Sequence, residues 1–390
     1  MTLSYTLDQV NSFVLSKQHL SPQAEGIGLV QAVRDVGGLH ATSASVPYLS
    51  LRARYASFAR VQLQRALYDE RSLAKVLCMR NTLFILPKDL LPAAYQSTRK
   101  RRDATIDRYL RHYGLSRQEY GRSVATIKDL MGSSAMTAAE IKDTLKDDRL
   151  NIMVDLMPND WQLVRARPRA SWRSSLQEYS VFEVWFPDVD LESISVEEAQ
   201  SRLVRHYLSS LGPATEDDIV WWTGLGKLEI RRALASISQH TSEIEIQGLG
   251  ADFLLPEQES KDLAGDVKAA GVVALLPGLD PYIMGYKNRA RFLNPSKYNK
   301  VFDRAGNALP TIWQDGRVVG VWMEDRKSQN LQLLLFDEAD RGLSTQLEKE
   351  ARNLSRFFEH DAPDIEIQVY PEDVYPKTPF SLARKGGSPL

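Results

Sequence analysis

The sequence predicts an α+β protein, and two observations carry that reading. Amphipathic segments opened by helix caps are followed by pairs of short apolar runs. Those runs end in proline at "TLFILP", "LVRARP" and "DFLLP", about 80 to 90 residues apart. From Gly271 onward the pattern switches to alternation of apolar and polar residues around Pro-Gly and Asp-Gly turns. Two or three helices followed by a two-stranded ribbon is the pattern of a winged helix. The expected architecture is therefore three tandem winged-helix units, spanning 1–100, 101–188 and 189–258. A β-rich module over 259–390 completes the chain, with one late helix and a mobile tail.

The elements can be placed in order. Thr6-Leu-Asp-Gln9 is a capping box, and Leu7, Val10, Phe13 and Val14 behind it have helical spacing. "GIGLVQAVRDV" predicts a helix stopped by the glycines at Gly37 and Gly38. "ASFARVQLQRALYD" reads as another, and "LAKVLCMR" and "TLFILP" as strands joined at Arg80-Asn81. Thr137-Ala-Ala-Glu140 caps the next helix, "RLNIMVDLM" a short one, and "WQLVRARP" alternates as a strand. Ser195 and Thr215 open "VEEAQSRLVRHYLSSL" and "EDDIVWWTGL", and "KLEIRRALASI" is the next helix. "SEIEIQ" and "ADFLLP" form a hairpin about Gly248-Leu-Gly250. In the C-terminal part "GVVALLPGLDPYIMGY", "TIWQDGRVVGVWMED" and "NLQLLLFDE" supply strands, and a helix is expected near "STQLEKEARNLSRFF".

Composition narrows the class. Hydrophobic residues at 43% and charged residues at 25% suit a soluble globular chain, and no apolar run approaches the ~20 residues of a membrane span. One cysteine, Cys78, excludes an internal disulfide and Cys-based zinc motifs. The six histidines show no HExxH spacing, so neither a metal nor a cofactor is expected. The start "MTLSYTLDQVNSF" lacks a basic, then apolar, secretion signal, which points to a cytoplasmic protein.

The net charge of −1 hides segregation. Residues 99–122 carry eight basic residues against three acidic ones, 165–173 four against none, and 287–304 six against one. Basic runs beside aromatic residues can build a phosphate-binding face on a neutral protein. The candidate DNA contacts are Arg80 and Asn81 at a wing tip; Arg99, Lys100, Arg101 and Arg102; Arg165, Arg167, Arg169 and Arg173 around Trp172; and Lys287, Arg289 and Arg291 beside Tyr282 and Tyr286. Each run is equally compatible with a solvated helix face or with arginine stems packed on aromatic rings. Trp221 and Trp222, in mid-helix, are expected in the core.

In "GLHATSASVPYLSLRAR" two polar side chains, His40 and Thr42, stand at i and i+2. On an extended segment such residues share a face, roughly 6–7 Å apart, with room for a water between them. His40 offers a donor, an acceptor and a reference pKa near 6.5; Thr42 offers a hydroxyl. The alternative is structural, with His40 satisfying turn backbone and Thr42 capping the segment after it.

"VGGLHATSASVPYLSLRAR", "MRNTLFILP", "GPATEDDIVWWTGL", and "LLPGLDPYIMGYKNR" with "DGRVVGVW" together resemble the bacterial winged-helix family that includes the crosslink-unhooking DNA glycosylases of the AlkZ and YcaQ type. The resemblance implies a C-shaped arrangement of the winged helices plus the β-rich module, with duplex DNA in the concavity. It also implies an enzyme that hydrolyses the N-glycosidic bond of N7-alkylated purines; a monomer is expected. Enzymes of that family carry Gln, an apolar residue, then Gln or Asp where this chain has His40-Ala41-Thr42, so His40 and Thr42 take the catalytic positions with different chemistry. That departure leaves a non-catalytic DNA-binding or regulatory protein on the same scaffold, or a protein-binding scaffold, as the competing expectations.

Overall fold

The computed structural model describes residues 3–21, 26–55, 57–265, 271–360 and 363–371. Three small sheets of three strands each and one of five strands organise them. In the first, strand Leu39–His40 pairs antiparallel with Leu83–Pro87, which pairs in turn with Leu73–Leu77. Helix Leu29–Asp35 ends at the two glycines, which take φ of 82° and 88°. Gly38 permits a close approach as well, since a Cβ there would lie 2.6 Å from Leu86 Cδ2. After the His40 strand the chain enters helix Val46–Arg54, a stretch the sequence showed only as an apolar run. The helix expected over "ASFARVQLQRALYD" is split into Arg60–Gln64 and a π-helical turn, Arg65–Asp69.

The second unit holds helices Arg99–His112, Arg117–Met131, Ala138–Leu145 and Asp148–Leu156. Its sheet runs Met136–Thr137, Gln177–Val181, Leu163–Pro168. Ile106, Leu110, Ile127, Met131, Ile141 and Met153 form a core of its own, separate from the main one. Strand Gln177–Val181 was not legible, because its face is only half-buried and its sequence, "QEYSV", is polar.

Helices Val196–Leu211, Glu216–Thr223 and Lys227–Ile237 and the hairpin Thr241–Ile246/Gly250–Pro256 form the third unit. Its third strand comes from the far end of the chain: Leu3–Tyr5 runs parallel to Ile244–Ile246. The caps at Thr6, Thr137, Ser195 and Thr215 form as their spacing predicts, each hydroxyl accepting from the backbone N–H three residues on. In the C-terminal module Val273–Leu276, Thr311–Gln314, Arg317–Asp325, Asn330–Leu335 and Ile365–Val369 form a sheet in chain order. Helix Arg341–Phe358 packs across it through Leu347, Ala351 and Leu354. The last strand, parallel to its neighbour, was not anticipated. The tail expected to be mobile lies outside the described residues. Among the described residues no helix is long and apolar enough to cross a membrane.

Candidate functional site

The strand carrying His40 ends at that residue, and the chain then bends. His40 is 1% exposed and Thr42 is exposed, so the expected common face does not form. The imidazole lies 4.4 Å from the Phe84 ring, and Phe84 meets Trp222 edge-on at 6.0 Å. Among the described residues neither ring nitrogen of His40 has a hydrogen-bond partner. Burial, and secondarily the charge of Arg80, push its pKa down to about 3, so the ring is neutral at physiological pH. The turn-supporting role anticipated as the alternative is not realised either. His40 binds no backbone group, and the N-cap of the next helix is Ser45, without a side-chain cap bond. An unsatisfied buried imidazole costs about 1–3 kcal/mol.

Arg80 sits beside this ring. It and Asn81 form the tip between strands Leu73–Leu77 and Leu83–Pro87, both with left-handed φ, 55° and 54°. Such angles cost about 1 kcal/mol or more each in a residue with a Cβ and persist only where the surroundings impose them. Asn81 Nδ2 donates to Thr105 Oγ1 at 3.1 Å, and Thr105 donates to the Arg101 carbonyl one helical turn back. Arg101 in turn donates to the Gly224 carbonyl at 2.5 Å. Gly224 ends helix Glu216–Thr223 with φ 72°, and a Cβ there would lie 2.7 Å from Arg101 Nη1 and 3.0 Å from Arg80 Cγ. The Trp221 ring, just before it, has the Arg80 guanidinium at 4.8 Å and that of Arg289 at 5.3 Å. The wing-tip Arg80 and Arg289 of the 287–304 run thus meet over one tryptophan, with Arg101 of the 99–122 run at the glycine that follows it. Among the described residues none of the three forms a carboxylate ion pair.

Trp221 is half-buried rather than a core residue, whereas Trp222 is 1% exposed. Helical spacing held the signal: Ile219, Trp222 and Thr223 share the buried face, and position 221 falls off it.

The remaining candidates divide. Arg291 is 2% exposed, stacks on Tyr286 at 4.1 Å and donates to the Pro213 carbonyl at 2.9 Å. Buried in the core, it is not a DNA contact. Arg102 is likewise corrected to a structural residue, stacked on Tyr95 at 3.6 Å and paired with Asp160 at 3.5 Å. Arg173 pairs with Glu324 at 2.8 Å over the rings of Trp172 and Phe358, joining the second unit to the C-terminal module. Arg165 packs near Tyr179 at 5.8 Å, Arg167 pairs with Asp69, and Arg169 with Glu140 and Glu178 at 2.8 and 2.7 Å. Lys287 pairs with Asp217 at 2.7 Å. Arg99 lies 3.9 Å from Asp103, and Lys100 is exposed beside it. No cluster of metal-ligating side chains occurs among the described residues.

Three stranded units of winged-helix type thus carry a basic, tryptophan-centred face beside a neutral imidazole. Comparison with known proteins gives this architecture a family. Residues 33–357 match the model of the family described as DNA glycosylase AlkZ-like. An interstrand DNA cross-link repair glycosylase of Streptomyces sahachiroi is 26% identical over 371 residues, covering 89% of this chain and 95% of that protein. The solved structure of the Streptomyces sahachiroi DNA glycosylase AlkZ superposes with a TM-score of 0.78 at 22% identity, covering 94% of this chain and all of that one. The chain belongs to the AlkZ-like DNA glycosylase family.

Proposed function

We propose that this protein binds duplex DNA on the Arg80–Arg101–Trp221 face and hydrolyses the N-glycosidic bond of N7-alkylated purines at His40, in interstrand cross-links among other lesions, the Streptomyces relative being named for interstrand DNA cross-link repair. The observation that carries the reading is a buried, neutral imidazole with both nitrogens unpartnered, directly beside an unneutralised guanidinium.

A purine alkylated at N7 carries a positive charge, so the C1′–N9 electron pair returns to the ring and the base leaves without an acid. Water adds to C1′ and releases a proton to solvent. What the protein contributes is orientation and electrostatics. A neutral His40 accepts a hydrogen bond from the attacking water without adding positive charge beside an oxocarbenium-like sugar. With so low a proton affinity it orients the water rather than keeping its proton. Because the ring is sealed, the groups over it must move to admit a nucleotide. Arginines facing a cationic centre become favourable once backbone phosphates neutralise them.

Incubation with duplex containing N7-methylguanine tests this. The wild type releases the base, and His40→Ala slows release by about a hundredfold with little change in duplex affinity. No release, or release indifferent to the substitution, removes the assignment. The sealed ring and the His-Ala-Thr loop favour one competitor, a DNA-binding protein without catalysis, and duplex binding with no base release from any alkylated purine would establish it.

A further inference from the structure

Arg80 combines burial with the lack of a polar partner for its guanidinium. Its guanidinium makes neither a hydrogen bond nor an ion pair among the described residues, although it is largely desolvated and its Nε is wholly buried. Only the face of Trp221 supports it. Its own backbone is left-handed, held there by the Asn81–Thr105 contact. Arg101, exposed beside it, uses one N–H on the Gly224 carbonyl, and no other hydrogen bond engages its guanidinium among the described residues. Arg289 is buried behind Trp221, donating to Tyr298 Oη at 2.8 Å and to the Gly306 carbonyl at 3.3 Å. Its charge adds to that of Arg101 in lowering the Arg80 pKa to about 10, after burial itself.

Holding three like charges together, one of them half-buried with its donors unused, is unfavourable until an anion arrives. The arrangement suits an oxyanion bridging adjacent guanidiniums, the geometry in which arginine binds phosphate most strongly. We propose that Arg80 and Arg101 form a receptor for one phosphodiester of the DNA backbone, with Arg289 keeping the local potential positive from behind Trp221. This rests on the DNA-hydrolase reading above and adds to it the atom group that sets the register of the duplex against His40. Because the charge of Arg80 acts on His40, a phosphate docked there also relieves the field on the imidazole.

The test uses duplexes centred on N7-methylguanine in which single phosphodiesters are replaced, one per duplex, by a neutral methylphosphonate. For the wild type, one linkage weakens binding by about tenfold while its neighbours matter less. Arg80→Gln and Arg101→Gln each weaken binding of the unmodified duplex by about tenfold, reduce the salt slope by about one, and no longer distinguish that linkage. The exposed Arg101 variant guards against misfolding, checked by an unchanged thermal transition. Unchanged affinity and salt slope in both variants overturn the receptor, even with base release intact. So does inorganic phosphate competing as well as duplex at equal phosphate concentration, which would mark a site for the free ion. Linkage dependence without base release leaves the receptor standing and removes the hydrolase reading.

Discussion

Arg54 and Asp280, 226 residues apart, form a two-pronged ion pair with both bonds at 2.8 Å and both side chains completely buried. Arg54 closes the helix after the His40 loop, and Asp280 caps the short helix Pro281–Met284 by accepting from the Tyr282 N–H at 3.0 Å. The two terminal nitrogens of Arg54 also reach the Ser50 carbonyl at 3.0 Å and Gln18 Oε1 at 3.2 Å, while its Nε has no partner among the described residues. The pair therefore clamps the helix that leaves the candidate site to the C-terminal module.

Removing one partner leaves an uncompensated buried charge. Asp280→Ala and Arg54→Ala should each lower the unfolding free energy by about 3–5 kcal/mol, and an apolar replacement of both should cost less than the sum. Denaturant unfolding measures this; a loss below about 1 kcal/mol for either single variant would show that the charges are solvated.

Acid should destabilise the protein through its buried histidines. Burial holds His40 at about 3 and, with a smaller contribution from Arg34, His206 at about 4, while both titrate near 6.5 when unfolded. The unfolded chain then binds more protons, so this stability is complete above about pH 6.5 and is lost as pH falls towards 3–4. At pH 5 each group accounts for about 2 kcal/mol. His40→Gln should remove one such share of the pH dependence, seen as a shallower fall in unfolding free energy between pH 7 and 5.

Neighbours in one helix should respond in opposite ways. Arg102→Gln strands Asp160, largely desolvated, and removes the donor to the Tyr95 carbonyl at 2.7 Å, costing about 1–3 kcal/mol of stability while leaving the salt dependence of DNA binding alone. Arg101→Gln should change stability by no more than about 0.5 kcal/mol. A denaturation curve and a salt titration on the two proteins separate the roles, and identical behaviour would refute them.

Gly224→Ala should injure binding without removing a charge. A methyl group at φ 72° costs about 1 kcal/mol and meets Arg101 and Arg80 at 2.7 and 3.0 Å, forcing both side chains aside. Duplex affinity should fall by about three- to tenfold with an unchanged salt slope, as long as both charges still reach the backbone. Wild-type affinity would mean that the present placement of Arg101 is immaterial.

Much of the fold was legible because its signals are local. Thr6, Thr137, Ser195 and Thr215 cap helices as their spacing demands, and strands Leu73–Leu77 and Leu83–Pro87 lie within the apolar runs "LAKVLCMR" and "TLFILP". Strands that complete sheets from a distance, Leu3–Tyr5 and Ile365–Val369, escaped notice, since three to five residues carry no pattern until a partner edge is present. At the site, the basic runs were visible but their members were not separable: Arg101 and Arg102, or Arg289 and Arg291, look alike in one dimension.

What the sequence determined by itself is the order of helices and ribbons, the basic runs, and the polar pair at His40 and Thr42, together with the family likeness they spell out. Only the tertiary structure decided that His40 is sealed and neutral while Thr42 is exposed, that Arg291 is buried and Arg101 exposed, and that Trp221 gathers Arg80 and Arg289. Propensity and capping depend on residues within a few positions of one another, whereas burial and charge pairing depend on distance through space, which the chain path sets only after it has folded.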